Sequence, residues 1–342
     1  MPVVVTGASG LIGRQAIRAF TLVSPQVRAY VTRPEAADRL RSAGAKVATG
    51  RIDDVENLEV VMAGAHTVCH LVGSLYPRSP DDYERSIVGS LRCVMAAAAR
   101  AGVKRLLYVS YPGASSQATN PYLGAKGRAE ELVRDSGLEH VIVRCTHVYG
   151  AKSEWLRSVT KLSRMRPAIV VGTGRQIVAP IHVDDVAAVL AGADDRERVE
   201  SGTWGLEGPD RVPADDLTDL LAGQRRRKLH LSPRVGIRAA RLTGVRLTLA
   251  ALEVLAKDSL ADAPDAAKEF NVRRTPLERD SIGRSRECPN RLTALHPTAT
   301  GRSRKGPSSS GAVGPKGGFP WESSSASRWR TGWPRYGSTA PP

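Results

Sequence analysis

Three side chains in the middle of the chain have the types and spacing for proton transfer. Tyr122 and Lys126 stand four residues apart in Tyr122-Leu123-Gly124-Ala125-Lys126, inside a stretch patterned as a helix. That spacing puts phenol and ammonium on one helix face. An adjacent ammonium favours phenolate and draws a tyrosine pKa down toward neutrality. Such a tyrosine can exchange a proton with a substrate oxygen. Ser110 closes a strand-like run twelve residues earlier, where its hydroxyl can hydrogen-bond the same oxygen. A Tyr/Lys pair at this interval is also common on plain helix surfaces, so its meaning depends on the elements that carry it.

A second feature concerns an anion. Thr6-Gly7-Ala8-Ser9-Gly10-Leu11-Ile12-Gly13 follows Val3-Val4-Val5 and opens a helical pattern. The first amides of a helix are unpaired and bind phosphate. Gly7 permits a tight turn, Gly10 lets the backbone approach a pyrophosphate, and Gly13 lets the helix pack closely on the strand. Glycine turns are common. A strand before, a helix after and further strand–helix units beyond are what mark this one as a dinucleotide motif. The next strand ends Val31-Thr32-Arg33-Pro34, without the acid that often holds the ribose hydroxyls of NAD. Arg33 instead suits a 2′-phosphate, so NADP is expected ahead of NAD.

Hydrophobic periodicity supplies the elements. Apolar runs read as strands at Val3–Thr6, Val27–Thr32, Lys46–Thr49, Thr67–Val72, Arg105–Ser110 and Glu139–Arg144. Helical patterns fall between them at Ile12–Phe20, Glu35–Ser42, Val55–Met62, Tyr83–Ala101 and Tyr122–Ser136. This alternation predicts an α/β fold, a doubly wound parallel sheet of the Rossmann type that binds ligands beyond the carboxyl ends of its strands. Residues 1–150 read as the dinucleotide-binding core. From 151 to 280 the pattern loosens. Helices are expected there at Ser153–Leu162, Val183–Leu190, Pro213–Leu221 and Val235–Leu255, with Asp184-Asp185 read as a helix cap. From residue 281 onward, Gly, Pro and Ser make up 28 of 62 residues and no apolar period survives, which predicts a disordered basic tail. A cloning scar or an out-of-frame readthrough would have the same composition.

The 342 residues are 41% hydrophobic but only 5% aromatic, so aliphatic side chains must supply most of a core. Cys69, Cys93, Cys145 and Cys288 show no paired spacing. That speaks against a disulfide framework and fits a reducing, cytoplasmic setting. No basic and then apolar leader precedes the first strand, and no apolar run is long enough to span a bilayer. The net charge of +16 invites a nucleic-acid reading, but half of it sits in residues 281–342, which makes nucleic acid the weakest partner. His66, His70 and His182 lack metal-ligand spacing. His147, just past the sixth strand, reads as a packing histidine before a second proton donor.

Together these residues resemble the short-chain dehydrogenase/reductase superfamily, in its extended or atypical branch of NAD(P)-binding, epimerase/dehydratase-like proteins. The matching segments are Thr6–Gly13, His70-Leu71-Val72-Gly73, Lys104–Ser110, Tyr122–Lys126 with Glu130, and Val143-Arg144 leading to Val148-Tyr149-Gly150. Pro180–Ala187, Gly202–Asp210 and Phe270–Glu278 follow, so the similarity covers about residues 1–280. It implies a small C-terminal substrate lobe. It implies that Tyr122 is the acid/base, that Lys126 lowers its pKa and binds the nicotinamide ribose, and that Ser110 orients the substrate carbonyl. The cofactor contacts it implies are Gly7, Ser9, Gly10, Leu11, Ile12 and Gly13 in the turn, Arg33 beyond it, and Leu71, Val72 and Gly73 along the dinucleotide. The chain departs from the family at Arg51, where an acid is frequent, and at Arg144-Cys145, where Arg-Pro is usual.

The expected function is hydride transfer by an NAD(P)-dependent oxidoreductase or epimerase on a carbinol or carbonyl of a small molecule. A reading from a different class is a dinucleotide-binding protein without turnover, such as a redox sensor or an accessory subunit. The pattern specifies neither substrate nor oligomeric state.

Overall fold

Val3, Val4 and Val5 are fully buried, yet they belong to two different cores. Successive strand side chains point to opposite faces, so a strand covered on both sides must be apolar throughout. Val3 and Val5 pack with Ile17, Phe20, Val186 and Leu190. Val4 packs with Leu58, Met62, Leu91 and Val94. The computed structural model describes residues 1–76, 82–243 and 247–277.

The first half runs β1 (Val3–Thr6), α1 (Leu11–Val23), β2 (Val27–Val31), α2 (Ala37–Ser42), β3 (Lys46–Thr49), α3 (Val55–Met62), β4 (Thr67–His70), α4 (Ser90–Arg100), β5 (Arg105–Ser110), α5 (Pro121–Arg134) and β6 (Glu139–Cys145). Then come β7 (Val148–Tyr149), α6 (Glu154–Ser163), β8 (Ala168–Val171), β9 (Ile177–Val178), β10 (Ile181–His182), α7 (Val183–Asp195), β11 (Gly202–Leu206), β12 (Val212–Pro213), α8 (Ala214–Ala222), β13 (Lys228–Leu231), α9 (Pro233–Thr243), α10 (Leu249–Leu255) and α11 (Ala266–Glu269). Seven strands form one parallel sheet in the order β11-β6-β5-β4-β1-β2-β3. The doubly wound Rossmann fold is therefore present. Strand order reverses between β1 and β4, and that reversal opens a ligand crevice at the carboxyl ends.

The sheet draws on both sides of residue 150. β11 joins its edge beside β6, and α7 packs along α1. The remaining C-terminal segments make short pairs, β10 with β7, β12 with β9 and β13 with β8. Tyr149, Trp155, Leu156, Val178, Leu217 and Leu221 form a separate small core there.

Several elements differ from the sequence expectation. The strand expected over Thr67–Val72 ends at His70, and Gly73 then turns with φ +130°. The helix expected from Tyr83 opens as a π-helical stretch, Glu84–Gly89, before α4. The single helix expected over Val235–Leu255 is two helices, because Thr248 starts a new one by accepting from the Ala251 amide at 3.1 Å. Asp184-Asp185 is not the cap of α7. His182 Nδ1 accepts from the Asp184 amide at 3.3 Å, and Asp185 instead accepts from the Thr275 amide and hydroxyl at 2.7 and 2.8 Å. The tail expected from residue 281 lies outside the described residues. Among the described residues, no helix is long and apolar enough to cross a membrane.

Candidate active site

The β1–α1 turn is built on contacts that exclude side chains. Gly7 has φ +74°, and a Cβ there would lie 2.8 Å from the Leu71 carbonyl carbon. A Cβ on Gly13 would lie 2.4 Å from the Gly7 oxygen and 2.6 Å from Ala8 Cα. These two glycines let α1 and the chain after β4 close onto the turn. Gly10 is the N-cap of α1 and supplies no side-chain cap, so the first amides of the helix stay open to an anion. No acid occupies the first turn of α1 to compete for them. Arg14 folds back to donate to the Ser9 carbonyl at 2.8 Å.

Neighbouring strands β1, β4, β5 and β6 all lead into one cavity of about 500 Å³. Gly10, Leu11, Ile12, Arg33, Leu71, Gly73, Ser110, Tyr122 and Lys126 line it. Of the other expected cofactor residues, Gly7 and Gly13 shape the turn, Ser9 anchors Arg14, and the Val72 amide lies close behind Gly7. Arg14, Tyr76, Tyr111, His147 and Trp155 also line the cavity. Sequence reasoning missed Arg14, although a cation four residues after Gly10 was a usable signal. Tyr76 and Trp155 fall in the segments Ser74–Asp82 and Ala151–Gly174, where the sequence places substrate specificity, whereas Tyr111 carried no signal, because only the fold brings it to them.

A helix start positions Tyr122. Asn120 caps α5, accepting from the Tyr122 and Leu123 amides at 3.1 and 3.3 Å, with Pro121 at the first helical position. The Asn120 amide group also donates to the Ala250 carbonyl and to Glu253, which ties α5 to α10. Close packing fixes the rest of the helix. A Cβ on Gly127 would lie 2.0 Å from the Ser115 carbonyl carbon.

Lys126 is buried, and its Nζ donates to the Val109 carbonyl at 2.7 Å and to the Tyr108 hydroxyl at 3.2 Å. Burial lowers its pKa to about 8. Tyr122 is buried too, its ring 5.7 Å from that of Tyr83 and 5.8 Å from that of Tyr111. The sequence led to a lowered Tyr122 pKa; burial instead pushes it well above the ordinary value. Desolvation outweighs the lysine because the ammonium faces Val109 and Tyr108 rather than the Tyr122 hydroxyl. Ser110 Oγ is buried with no partner. An orphaned hydroxyl, open helix amides and side chains excluded from the turn together fit a dinucleotide and a substrate oxygen.

Lysine titration also touches stability. A lysine with a folded pKa below its unfolded value binds its proton less readily in the native state. Stability contributed by this site therefore rises with pH from about 8 toward the ordinary lysine value. Urea titrations across that window should show the rise, and Lys126→Met should remove it. An unchanged slope in the variant would contradict the assignment.

His70 and His147 hold their places as neutral groups. His70 bridges Thr6 Oγ1 at 2.7 Å and Ser90 Oγ at 3.2 Å, with its pKa lowered to about 3 by burial and by Lys126. His147 is buried, lowered to about 3, and stacked 4.9 Å from Trp155. Arg51 is exposed and pairs with Asp53 at 2.6 Å. Arg144 pairs with Glu130 at 2.7 Å and Asp262 at 2.9 Å. Among the described residues, no group of three or more His, Cys, Asp or Glu could hold a metal ion.

A family model described as NAD(P)H-binding matches residues 7–196, more than half of the chain. This protein belongs to the NAD(P)H-binding family. Its fold neighbours include the Citrobacter sp. triphenylmethane reductase complexed with NADP(H), with a TM-score of 0.67 at 22% identity over 82% of this chain and 99% of that one. The ceramide reductase of Caulobacter vibrioides is 29% identical over 188 residues, 55% of this chain and 59% of that protein. Subunit 9 of the NADH dehydrogenase [ubiquinone] 1 alpha subcomplex of Arabidopsis thaliana is 29% identical over 230 residues, 64% of this chain and 56% of that protein. The chain thus spans less than two thirds of the length of these two curated relatives. It is an NAD(P)H-binding, oxidoreductase-like protein of Rossmann fold, and its fold neighbours include reductases and a nucleoside-diphosphate-sugar epimerase.

Proposed function

We propose that this NAD(P)H-binding protein is an NADPH-dependent reductase of the short-chain dehydrogenase type that acts on a carbonyl group of a small molecule. One observation carries the reading. Ser110, Tyr122 and Lys126 face the same cavity as the open amides of α1. A reduced nicotinamide dinucleotide held there would supply the hydride. The residues of the chain handle the oxygen. Ser110 donates a hydrogen bond to it, and Tyr122, kept neutral by burial, gives it a proton as negative charge develops. A neutral phenol favours the direction of carbonyl reduction. Lys126, which lines the same cavity, would hold the nicotinamide ribose and put a positive charge beside the reacting end.

The preference for NADPH rests on Arg33 and Arg14, which line the dinucleotide end of the cavity. Arg39 adds positive charge near Arg14. Charge-assisted hydrogen bonds to a 2′-phosphate are the strong kind. Arg33→Asp should therefore cut the NADPH-to-NADH affinity ratio by about ten- to a hundredfold. Calorimetric titration of both nucleotides decides it, and an unchanged ratio removes Arg33 from cofactor selection.

A second reading is binding without turnover. The Arabidopsis relative is a subunit of a larger assembly, and the raised Tyr122 pKa suits a site that does not cycle through phenolate. Tight NADPH binding without turnover across aryl, alkyl and sugar-nucleotide carbonyls would favour it.

A further inference from the structure

Tyr76 Oη, Ser110 Oγ and Trp155 Nε1 are buried without hydrogen-bond partners, and all three residues line the one cavity. Native proteins leave few buried polar atoms unpaired, so three around one space point to an occupant that pairs them. Ser110 serves the reacting carbonyl in the reading above. Trp155 sits apart, in α6 of the C-terminal part. An indole N–H can only donate, so the occupant must present an acceptor to it.

The wall between these two points is made of rings. Tyr122, Tyr111, His147 and Trp155 follow one another with centroid separations of 5.8, 5.6 and 4.9 Å. Phe, Trp and Tyr are 5% of the chain, so three of them in one run with a histidine are far from what composition would scatter there. His147 is neutral, so the wall bears no formal charge. Lys152, Glu154 and Arg157 also line the cavity, but Lys152 is exposed and the side chains of Glu154 and Arg157 are 59% and 69% exposed and 3.9 Å apart, which puts all three at its mouth. Ring faces and edges of this kind select planar π systems.

We propose that the substrate is a flat, uncharged, conjugated carbonyl compound carrying a second hydrogen-bond acceptor, held by the Trp155 indole, away from the oxygen that is reduced. This rests on the reductase reading of the same site. It adds a shape, a charge and a second polar anchor to it.

Three bicyclic probes test it by calorimetry on the full chain, each with and without NADP⁺: α-decalone, which is saturated; α-tetralone, an aryl ketone with one acceptor; and 2,3-dimethyl-1,4-naphthoquinone, with two acceptors and both reactive ring carbons blocked. The expected order is naphthoquinone tightest, by about tenfold over α-tetralone, and α-decalone weakest. Trp155→Phe keeps a ring against His147 but removes the donor. It should abolish the advantage of the naphthoquinone and leave α-tetralone binding unchanged, which also shows that the variant is folded. Equal binding of α-decalone and α-tetralone overturns the planar selection. Equal binding of α-tetralone and naphthoquinone by the wild type, or an advantage that survives in Trp155→Phe, overturns the second anchor. The wild-type comparison decides the matter if the variant does not fold. Failure to bind either dinucleotide would sink the reductase reading separately, because the probe titrations without NADP⁺ read the ring wall alone.

Discussion

Tyr122→Phe should lower kcat for carbonyl reduction by about a hundred- to ten-thousandfold while NADPH affinity and stability stay as they are. The ring contacts with Tyr83 and Tyr111 are kept by phenylalanine, so packing is preserved. The change removes one hydroxyl and adds no volume, so nothing new has to be accommodated in the packing. What disappears is the only proton donor expected at the reacting oxygen besides Ser110, and with it the stabilisation of the developing alkoxide. Steady-state rates on a reducible carbonyl, set beside the NADPH dissociation constant, separate this from a binding defect. Full activity in Tyr122→Phe would take Tyr122 out of the mechanism. A parallel loss of NADPH binding would instead make it a structural residue.

Gly13→Ala should abolish useful cofactor binding, by a hundredfold or more on the order set by a misplaced site of about 1 Å. The new methyl would lie 2.4 Å from the Gly7 oxygen, 2.6 Å from Ala8 Cα and 2.8 Å from the Ala8 carbonyl carbon. All three are backbone atoms of the same tight turn, so none can swing aside as a side-chain end would. The helix must retreat from the turn, and its first amides retreat with it. Overpacking of this kind also costs about 1–3 kcal/mol of stability. Gly10 makes a useful contrast, because a methyl there would meet only the Gly7 oxygen, at 3.2 Å. Calorimetry with NADPH and a urea midpoint test both halves of the expectation. Normal affinity in a folded Gly13→Ala protein would mean that the α1 amides do not hold the diphosphate.

Much of this architecture was legible in the order of residues. Strand and helix periods, the positive φ demanded at Gly7 and the spacing of Tyr122 and Lys126 are local properties, carried by residues within a few positions of one another. They were enough to place six strands of the sheet, the glycine turn and the helix bearing the phenol. The seventh strand, β11, lies in Gly202–Asp210, a segment marked only by its similarity to the family and not by a strand pattern of its own. Pairing of β8 with β13 escaped, since two short runs about sixty residues apart share no local signal.

The chemistry of the site was decided by the tertiary structure. Which way a pKa moves depends on what surrounds the group, and for Tyr122 the surroundings are rings and a lysine whose ammonium is committed to Val109 and Tyr108. Proximity on a helix predicted a lowered pKa, but desolvation acts through every neighbour at once and prevailed. The ring wall has the same origin. Tyr76, Tyr111, Tyr122, His147 and Trp155 lie on separate loops, strand ends and helices, and only the folding of the sheet and the C-terminal segments around one crevice makes them a surface. Backbone preference is written locally, whereas burial is a property of the assembled chain.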